Sequence, residues 1–234
     1  MNLPYFFEES ITNSTKVLSE ETSKHCVQVL RMKAGGRLKL TDGKGNLFTA
    51  TIMEADKRHC TVQVEATIHD EPNTQNVCIA ISLLKNTSRF EWFLEKATEI
   101  GVKEIIPLIC HHTERENFRL DRMNNILIAA MLQSEQTWLP KLHQPKKINA
   151  FINEDIDGLK LIAHCIEEEE KQTLQEIASQ HQNKLILIGP EGDFSPAEIK
   201  AAFDKKFIPV TLGKTRLRTE TAGIVAATLL INTY

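Results

Sequence analysis

The chain lacks any apolar run long enough to span a membrane. None of its hydrophobic segments approaches the ~20 residues that a transmembrane helix needs. The N-terminal segment MNLPYFFEES is acidic and has no long apolar core, so it does not resemble a secretory signal peptide. With 41% hydrophobic and 25% charged residues, the composition is that of a soluble globular protein. We therefore expect a cytoplasmic protein without a membrane partner.

Cysteine is scarce, and its pattern indicates neither a disulfide framework nor a metal site. The chain has five scattered cysteines, an odd number that suits a reducing compartment. Four of them adjoin a histidine, but no CxxC or HxxxH spacing occurs. Adjacent residues on a strand also point to opposite faces, so such a pair does not readily chelate one ion. The sequence therefore predicts no metal.

An excess of positive charge is absent as well, because the net charge is −3 at pH 7. This excludes a protein that coats nucleic acid non-specifically. Two local clusters are nevertheless basic: residues 24–44, which contain Arg31, Lys33 and Arg37, and residues 214–218. Basic clusters on a near-neutral protein suit a selective anionic partner, although a solvated surface gives the same pattern.

The first 70 residues predict a small barrel or sheet of antiparallel strands with one helix. The helix is expected from about Glu20 to Lys33, with Ser19 as its N-cap and Gly35 just past its end. Alternating strands separated by polar, glycine-containing turns follow it. The expected strands are Arg37–Thr41, Leu47–Ala55 and Cys60–Ile68. The polar, proline-containing residues 69–74 are the predicted linker.

After the linker, short apolar strands alternate with helical patterns, which predicts a parallel sheet covered on both faces. The expected strands are Val77–Leu84, Ile105–Cys110, Leu159–His164, Lys184–Ile188 and Phe207–Thr211. The expected helices lie near Ser88–Ile100, Leu120–Ser134, Glu168–Ser179, Ser195–Phe203 and Glu220–Asn232. The fold class is therefore α/β, with a small β domain in front.

The first of two notable loops lies in the sequence LILIGPEGDFSPAEI. The helix after it begins with a capping box, in which Ser195 is the N-cap and Glu198 the third residue. The glycines Gly189 and Gly192 allow a ligand to approach the backbone closely. Open α/β sheets bind ligands beyond the carboxyl ends of their strands, where this loop lies. We interpret it as a ligand-binding loop, and a simple turn is the alternative.

The second loop lies in VTLGKTRLRTETAGIVAATLL. Gly213-Lys214-Thr215 invites comparison with a phosphate-binding P-loop, but that motif requires a glycine where Ile208 stands. Thr219 and Glu220 suit the start of the following helix. The basic residues between Gly213 and Thr219 indicate either a contact with an anion or RNA, or a solvated loop. The sequence of the loop alone is compatible with both.

Together the two loops resemble one known family. "IGPEGDFSPAEI" followed at this distance by "LGKTRLRTETA" is similar to the 16S rRNA uridine-N3 methyltransferase family of the SPOUT superfamily. "HCVQVLRMKAGGRLKLTDGKGNLFTATI" resembles that family's N-terminal PUA-like domain. "LLKNTSRFEWFLEKATEIGVKEIIPL" and "QSEQTWLPKL" resemble its central blocks. The resemblance covers nearly the whole chain.

The resemblance implies both a fold and a reaction. The fold would be a PUA-like RNA-binding β-barrel over residues 1–70 and a trefoil-knotted SPOUT domain with a parallel sheet over residues 75–234. Such proteins act as homodimers and bind S-adenosyl-L-methionine (AdoMet) in the knot. They methylate N3 of a uridine in the decoding region near the 3′ end of 16S rRNA, in the small ribosomal subunit. The knot does not follow from periodicity, since knots are very rare.

The resemblance also implies roles for individual residues. The AdoMet pocket is expected to contain Leu187, Gly189, Gly192, Leu212, Gly213 and Leu217. Arg218 is the expected catalytic group that positions the target nucleotide or stabilises charge, with Glu220 and Thr221 orienting it. Arg31, Lys33 and Arg37 are expected to contact RNA phosphates.

The chain departs from the family where a Ser-Glu-Arg triplet is common, since Cys110-His111-His112 stands there. Arg115 replaces the family's arginine only if the loop shifts. Two alternative functions remain open. One is another SPOUT activity, on a ribose 2′-hydroxyl or a tRNA. The other is a non-catalytic RNA-binding factor of ribosome assembly.

Overall fold

The computed structural model describes residues 3–73, 75–165, 171–174, 177 and 182–231. The chain forms two compact units, one of Met1–Pro72 with Met131–Leu139 and one of Asn73–Ala130 with Pro140–Tyr234. The contribution of residues 131–139 to the first unit was not foreseen from the sequence. The division into domains at residues 1–70 and 75–234 stays a prediction. In the described part of the chain, every helix is too short or too polar to cross a membrane.

The first unit contains a five-stranded sheet. Its strands are β1 (Tyr5–Phe7), β2 (Thr15–Val17), β3 (Arg37–Thr41), β4 (Asn46–Glu54) and β5 (Thr61–His69). Their order is β1-β3-β4-β5-β2, with β1 parallel to β3 and the other neighbours antiparallel. The three predicted strands are confirmed within one residue. Alternate side chains, such as Leu38 and Leu40, point into the core of this unit.

The helix of this unit is shorter than predicted. Helix α1 (Glu20–Lys24) continues as a π-helical turn (His25–Val29), and Ser19 caps its start as expected. The expected end near Lys33 and Gly35 is wrong. Arg31 adopts the left-handed conformation, with φ 54°, and the N–H of Met32 donates to the carbonyl of Cys26 at 2.9 Å. This bond pattern ends a helix in the way that a glycine usually does.

The second unit is built on a parallel sheet, as the sequence predicted, and in the described part of the chain this sheet has eight strands rather than the five expected. Its strands are β6 (Asn76–Ser82), β7 (Glu104–Ile109), β8 (Lys141–Leu142), β9 (Lys146–Lys147), β10 (Leu159–Ala163), β11 (Gln172–Thr173), β12 (Asn183–Ile188) and β13 (Ile208–Thr211). The order is β11-β13-β10-β12-β6-β7-β8, and β9 also pairs with β7. The short strands β8, β9 and β11 were not predicted.

Helices accompany this sheet at nearly the predicted positions. They are α2 (Thr87–Ile100), α3 (Leu120–Gln133), α4 (Ile148–Phe151), α5 (Pro196–Asp204) and α6 (Thr219–Ile231). The short α4 was not predicted, and the helix expected near Glu168–Ser179 falls mostly outside the described residues. Helix α6 packs against α2, β6 and β12 rather than beside β13, which precedes it. The trefoil knot stays a prediction.

The order of the strands places three loops at one edge of the sheet. Strand β10 pairs with both β12 and β13, and all three run parallel. Their carboxyl ends therefore meet at the same edge, where open α/β sheets bind ligands. The loops that follow begin at His164, Gly189 and Leu212. Both glycine-containing loops singled out in the sequence are among them.

Two glycines of the first unit give a matched test of packing. Both have a left-handed backbone, with φ of 88° at Gly45 and 84° at Gly35. A Cβ on Gly45 would lie 2.5 Å from Cζ2 of Trp138 and 2.8 Å from the carbonyl oxygen of Asp70, whereas one on Gly35 would meet nothing within 4 Å. We expect Gly35→Ala to cost about 1–2 kcal/mol through backbone strain. Gly45→Ala should cost about 1–3 kcal/mol more through overpacking. Denaturant unfolding measures both, and equal losses would contradict the packing argument.

Candidate functional site

A cleft of about 880 Å³ opens at the carboxyl edge of the parallel sheet. It is lined by the loops that follow β10, β12 and β13, together with the start of α6. Six of the predicted site residues share this cleft: Gly189, Gly192, Leu212, Gly213, Leu217 and Arg218. The two glycine-containing loops therefore form one pocket, as the sequence analysis expected.

The structure places three predicted site residues away from the cleft surface that the described residues form. Leu187 is fully buried in the hydrophobic core on β12, one residue before Ile188, which does line the cleft. Glu220 is buried and Thr221 half-buried in the first turn of α6, next to the cleft residues Thr219 and Ala222. These three side chains can support the cleft from behind.

The first loop is held in shape by its own backbone and by the helix after it. The N–H of Asp193 donates to the carbonyl of Pro190 at 3.0 Å, and Gly192 and Asp193 have φ of 96° and 72°. Ser195 and Glu198 form the predicted capping box at the start of α5. The carboxylate of Asp193 also accepts a hydrogen bond from the N–H of Cys165, at 2.7 Å, which ties this loop to the one after β10.

A hydrogen bond joins the first glycine loop to the start of α6, the helix that follows the second loop. The hydroxyl of Thr219, the first residue of α6, donates to the carbonyl of Gly189 at 2.9 Å. Within the second loop, the hydroxyl of Thr211 donates to the carbonyl of Gly213 at 3.0 Å. One side of the cleft is thus held together by a hydrogen bond between residues that lie 30 positions apart in the chain.

The cleft carries an excess of basic side chains. Five of them line it, against the carboxylates of Glu191 and Asp193; they are Arg89, Lys171, Lys214, Arg216 and Arg218. Lys214, Arg216 and Arg218 are exposed. A concave, positively charged surface attracts anions and suits a phosphate-bearing partner. The local basic cluster seen in the sequence therefore lies on a cleft rather than on a plain surface.

The thiols near the cleft are poor nucleophiles. Burial raises the pKa of the Cys165 thiol, and the nearby carboxylate of Asp193 raises it further. Burial also raises the pKa of Cys110 to about 12. Both residues are therefore neutral at pH 7, and a neutral thiol does not attack carbon efficiently. Within the described residues, no group of three or more His, Cys, Asp or Glu side chains could hold a metal ion.

Two residues that organise the site were not predicted from the sequence as site residues. Glu198, besides its capping role, accepts a hydrogen bond from the N–H of His111 at 2.7 Å and so joins the loop after β7 to α5. Arg89, at the start of α2, lines the cleft and pairs with Glu191 and Glu220. The capping box was a signal for Glu198, but nothing local marks Arg89.

The segment that departs from the family is in contact with the first loop. The ring nitrogen Nδ1 of His112 lies 2.9 Å from the carbonyl oxygen of Asp193. Arg115 is exposed. The predicted RNA-binding residues Arg31, Lys33 and Arg37 are exposed in the first unit, where Nε of Arg37 lies 3.3 Å from a carboxylate oxygen of Glu65.

Family models match most of the chain. An RNA methyltransferase domain matches residues 71–231, and an RNA methyltransferase PUA domain matches residues 18–65. The chain belongs to this RNA methyltransferase family. The PUA match contains Arg31, Lys33 and Arg37, and the methyltransferase match contains the whole cleft.

Individual members of the RNA methyltransferase family are similar to this chain over nearly its full length. The chain is 30% identical over 224 residues to Ribosomal RNA small subunit methyltransferase E of Synechocystis, covering 93% of this chain and 73% of that protein. It is 40% identical to a probable rRNA-methyltransferase from Porphyromonas gingivalis, with a TM-score of 0.87 over 96% of this chain and 95% of that one. It is 27% identical to Ribosomal RNA small subunit methyltransferase E of Neisseria gonorrhoeae bound to S-adenosyl methionine, with a TM-score of 0.87 over 97% and 95%.

Proposed function

We propose that this protein is an AdoMet-dependent methyltransferase that modifies N3 of a uridine in the decoding region near the 3′ end of 16S rRNA. The observation that carries the proposal is the single cleft formed by the two glycine loops at the carboxyl edge of the parallel sheet. A relative with the same fold binds S-adenosyl methionine, and relatives are named as small-subunit rRNA methyltransferases. The basic lining of the cleft suits an RNA substrate.

The residues of the cleft fit AdoMet. Gly189, Gly192 and Gly213 leave backbone N–H and C=O groups accessible to adenine and ribose, while Leu212 and Leu217 offer apolar surface to the adenine ring. Leu187 supports Ile188 from the core. When bound, AdoMet supplies a methyl group on a sulfonium. The volume of about 880 Å³ leaves space for a nucleotide as well.

The chain's own residues must prepare the acceptor nitrogen. N3 of uracil carries a proton and is a poor nucleophile until that proton leaves. The exposed guanidinium of Arg218 in the cleft can stabilise the negative charge that then develops on O2 or O4. A water molecule in the cleft accepts the proton, and Glu220, which is buried behind the cleft, helps with Thr221 to orient the first turn of α6. The cleft aligns donor and acceptor, which removes much of the entropic barrier.

We also propose a homodimer, which the composition of α6 supports. This helix is apolar on every side, a pattern typical of a helix that is buried all round. Its Val225 and Leu229 are nevertheless half-buried and Thr228 is exposed in the single chain. A second copy packed on this face would complete its burial. Sedimentation should give a mass twice the 26.5 kDa of the chain, and Val225→Glu should yield the monomer.

Labelling of rRNA tests the proposed function. Small subunits and free 16S rRNA from cells without this protein are incubated with the protein and methyl-labelled AdoMet, and the rRNA is digested to nucleosides. We expect label in N3-methyluridine. Label in a ribose 2′-O-methyl nucleoside, or in tRNA only, would support a different SPOUT activity. Binding of rRNA without any AdoMet binding would support a non-catalytic assembly factor.

Charge reversal in the first unit tests its role in RNA binding. Arg31→Glu with Lys33→Glu should weaken rRNA binding and lower the slope of log affinity against log salt by about 1–2, because each lost phosphate contact releases about one counterion fewer. Lys57→Glu with Arg58→Glu is the matched control, since that exposed pair lies in the turn between β4 and β5. Filter binding at several salt concentrations gives the slopes. Equal slopes for both double variants would contradict this assignment.

A further inference from the structure

A buried carboxylate at the start of α6 has an incomplete set of partners. Glu220 is only 6% exposed, and its Oε2 accepts no hydrogen bond from the described residues. Its Oε1 lies 3.7 Å from Nε of Arg89, an ion-pair distance that is too long for a hydrogen bond. Buried carboxylates are normally hydrogen-bonded because their desolvation otherwise costs free energy. Glu220 thus has one stabilising cation and one oxygen that can still accept a donor.

The same arginine binds the first loop of the cleft. Nη1 of Arg89 donates to Oε1 of Glu191 at 3.0 Å, and Glu191 stands between Pro190 and Gly192. Arg89 itself lines the cleft. A guanidinium presents separate N–H groups in a fixed plane, so a single arginine can serve two carboxylates at once. Arg89 therefore links the loop expected to bind AdoMet with the helix that carries the expected catalytic residues.

The backbone of Arg89 is held firmly enough to act as an anchor. Asn86 caps α2 by accepting the N–H of Ser88 at 3.0 Å, and the N–H of Arg89 donates to the carbonyl of Asn86 at 3.1 Å. The following residues Phe90 and Phe93 are buried. Movement of either carboxylate relative to α2 would break its ion pair with Arg89.

We propose that Arg89 is a positioning residue that couples AdoMet binding to methyl transfer. Its pair with Glu191 orders the AdoMet loop, and its pair with Glu220 holds the first turn of α6, whose residues Thr219 and Ala222 line the cleft. The inference rests on the proposed function and assigns Arg89 and Glu191 tasks within it.

Single and double variants separate the two tasks. Glu191→Gln should raise the Kd for AdoMet about 3–5-fold, because the pair with Arg89 is partly exposed. Glu220→Gln should lower kcat about 10-fold, because the start of α6 next to Arg218 loses its ion pair with Arg89 and small misplacements of reacting groups are costly. Arg89→Gln should do both. Since Arg89 acts through Glu220 on kcat, Arg89→Gln should lower kcat no further in the Glu220→Gln background. Arg89→Lys, which keeps the charge, should recover part of kcat.

The control comes from the same helix. Lys96 pairs with Glu95 and Glu99 on α2 and lies away from the cleft lining of the described residues. Lys96→Gln should leave both kcat and the Kd for AdoMet unchanged. If Arg89→Gln does not fold, Arg89→Lys and the two carboxylate variants carry the same comparison. A Glu220→Gln variant with a lowered kcat and an unchanged Kd for AdoMet supports the proposal, because Glu220 acts on α6 and Glu191 on the AdoMet loop; a Kd raised as much as in Glu191→Gln would contradict this separation of tasks.

Two results would overturn the role of Arg89. One is a kcat of Arg89→Gln within twofold of the wild type, and the other is a kcat loss that adds fully to that of Glu220→Gln. A wild-type protein that labels no rRNA overturns the proposed function instead. In that case the role of Arg89 is tested by AdoMet binding alone. Arg89→Gln and Glu191→Gln must raise the Kd for AdoMet by the same factor, and the double variant must raise it no further. Any other pattern, or no AdoMet binding at all, overturns the assignment of Arg89 too.

Discussion

Arg218→Ala should lower kcat about 10²–10³-fold while AdoMet still binds, because one lost charge-stabilising group in an active site typically has that effect. Arg218 is exposed on the cleft immediately before α6, where its guanidinium can approach the oxygen atoms of a uracil. The AdoMet pocket is expected to rest on backbone groups and on Leu212 and Leu217, which the substitution leaves in place. Single-turnover methylation measures the chemical step, and calorimetry measures AdoMet binding.

Arg216→Ala is the matched control for this prediction. Arg216 lies two residues away, is also exposed and lines the same cleft. If it contacts only phosphate, its loss should weaken RNA binding and reduce the salt slope by about 1, with little effect on the chemical step at saturating RNA. Equal losses of AdoMet affinity and of rate in Arg218→Ala would refute the separation of cofactor binding from catalysis.

Glu198→Ala should be strongly destabilising and should disorganise the cleft. The carboxylate is 5% exposed and accepts three hydrogen bonds, from the N–H of His111 at 2.7 Å and from the N–H and hydroxyl of Ser195 at 2.8 and 2.9 Å. Removing it deprives two backbone N–H groups of their acceptor and destroys the capping box of α5. We expect a loss of about 2–4 kcal/mol in the free energy of unfolding, since hydrogen bonds to charged groups are the stronger kind.

Denaturant unfolding of Glu198→Ala, with AdoMet binding measured in parallel, tests whether the hydrogen bonds of Glu198 hold together the loop after β7 and the loop before α5. Glu95→Ala is the control, because Glu95 is a partly exposed residue of α2 and its loss should change stability by less than about 0.5 kcal/mol. Glu198→Gln should fall between the two, since an amide oxygen can still accept one of the bonds. A loss in Glu198→Ala close to that of the control would show that the joined loops are held by other contacts.

Local signals in the sequence were sufficient to predict most of the longer strands and helices and the two loops of the cleft, but not the short elements β1, β2, β8, β9, β11 and α4. The capping box of Ser195 and Glu198 lies within a few residues of Gly189, Gly192 and the short apolar strand before them, and Gly213 closely follows a strand of its own. Strands of a parallel sheet end at a common edge, so their loops were expected to meet. Gly189 and Gly213 do line one cleft.

The orientation of side chains on a buried strand, and contacts between residues far apart in the chain, could not be predicted from such local signals. The last four residues of β12 are all apolar because both faces of the strand are covered, so no alternation in the sequence indicated that Leu187 points to the core while Ile188 reaches the cleft. Arg89 lies 102 residues before Glu191, and no local pattern connects them. The early end of the first helix depended on Arg31 accepting a left-handed backbone, which propensity assigns to glycine.

The pairing of β6 with β12 has a consequence for folding during synthesis on the ribosome. Asn76 and Asn183, whose side chains are joined by a hydrogen bond of 2.7 Å, are separated by 107 residues. At a synthesis rate of about 5–20 residues per second, one edge of β6 waits roughly 5–20 s for its neighbour to emerge. During that interval an apolar strand edge is open to wrong partners. Chaperones that shield nascent chains should therefore raise the yield of this protein more than that of a domain built from local hairpins.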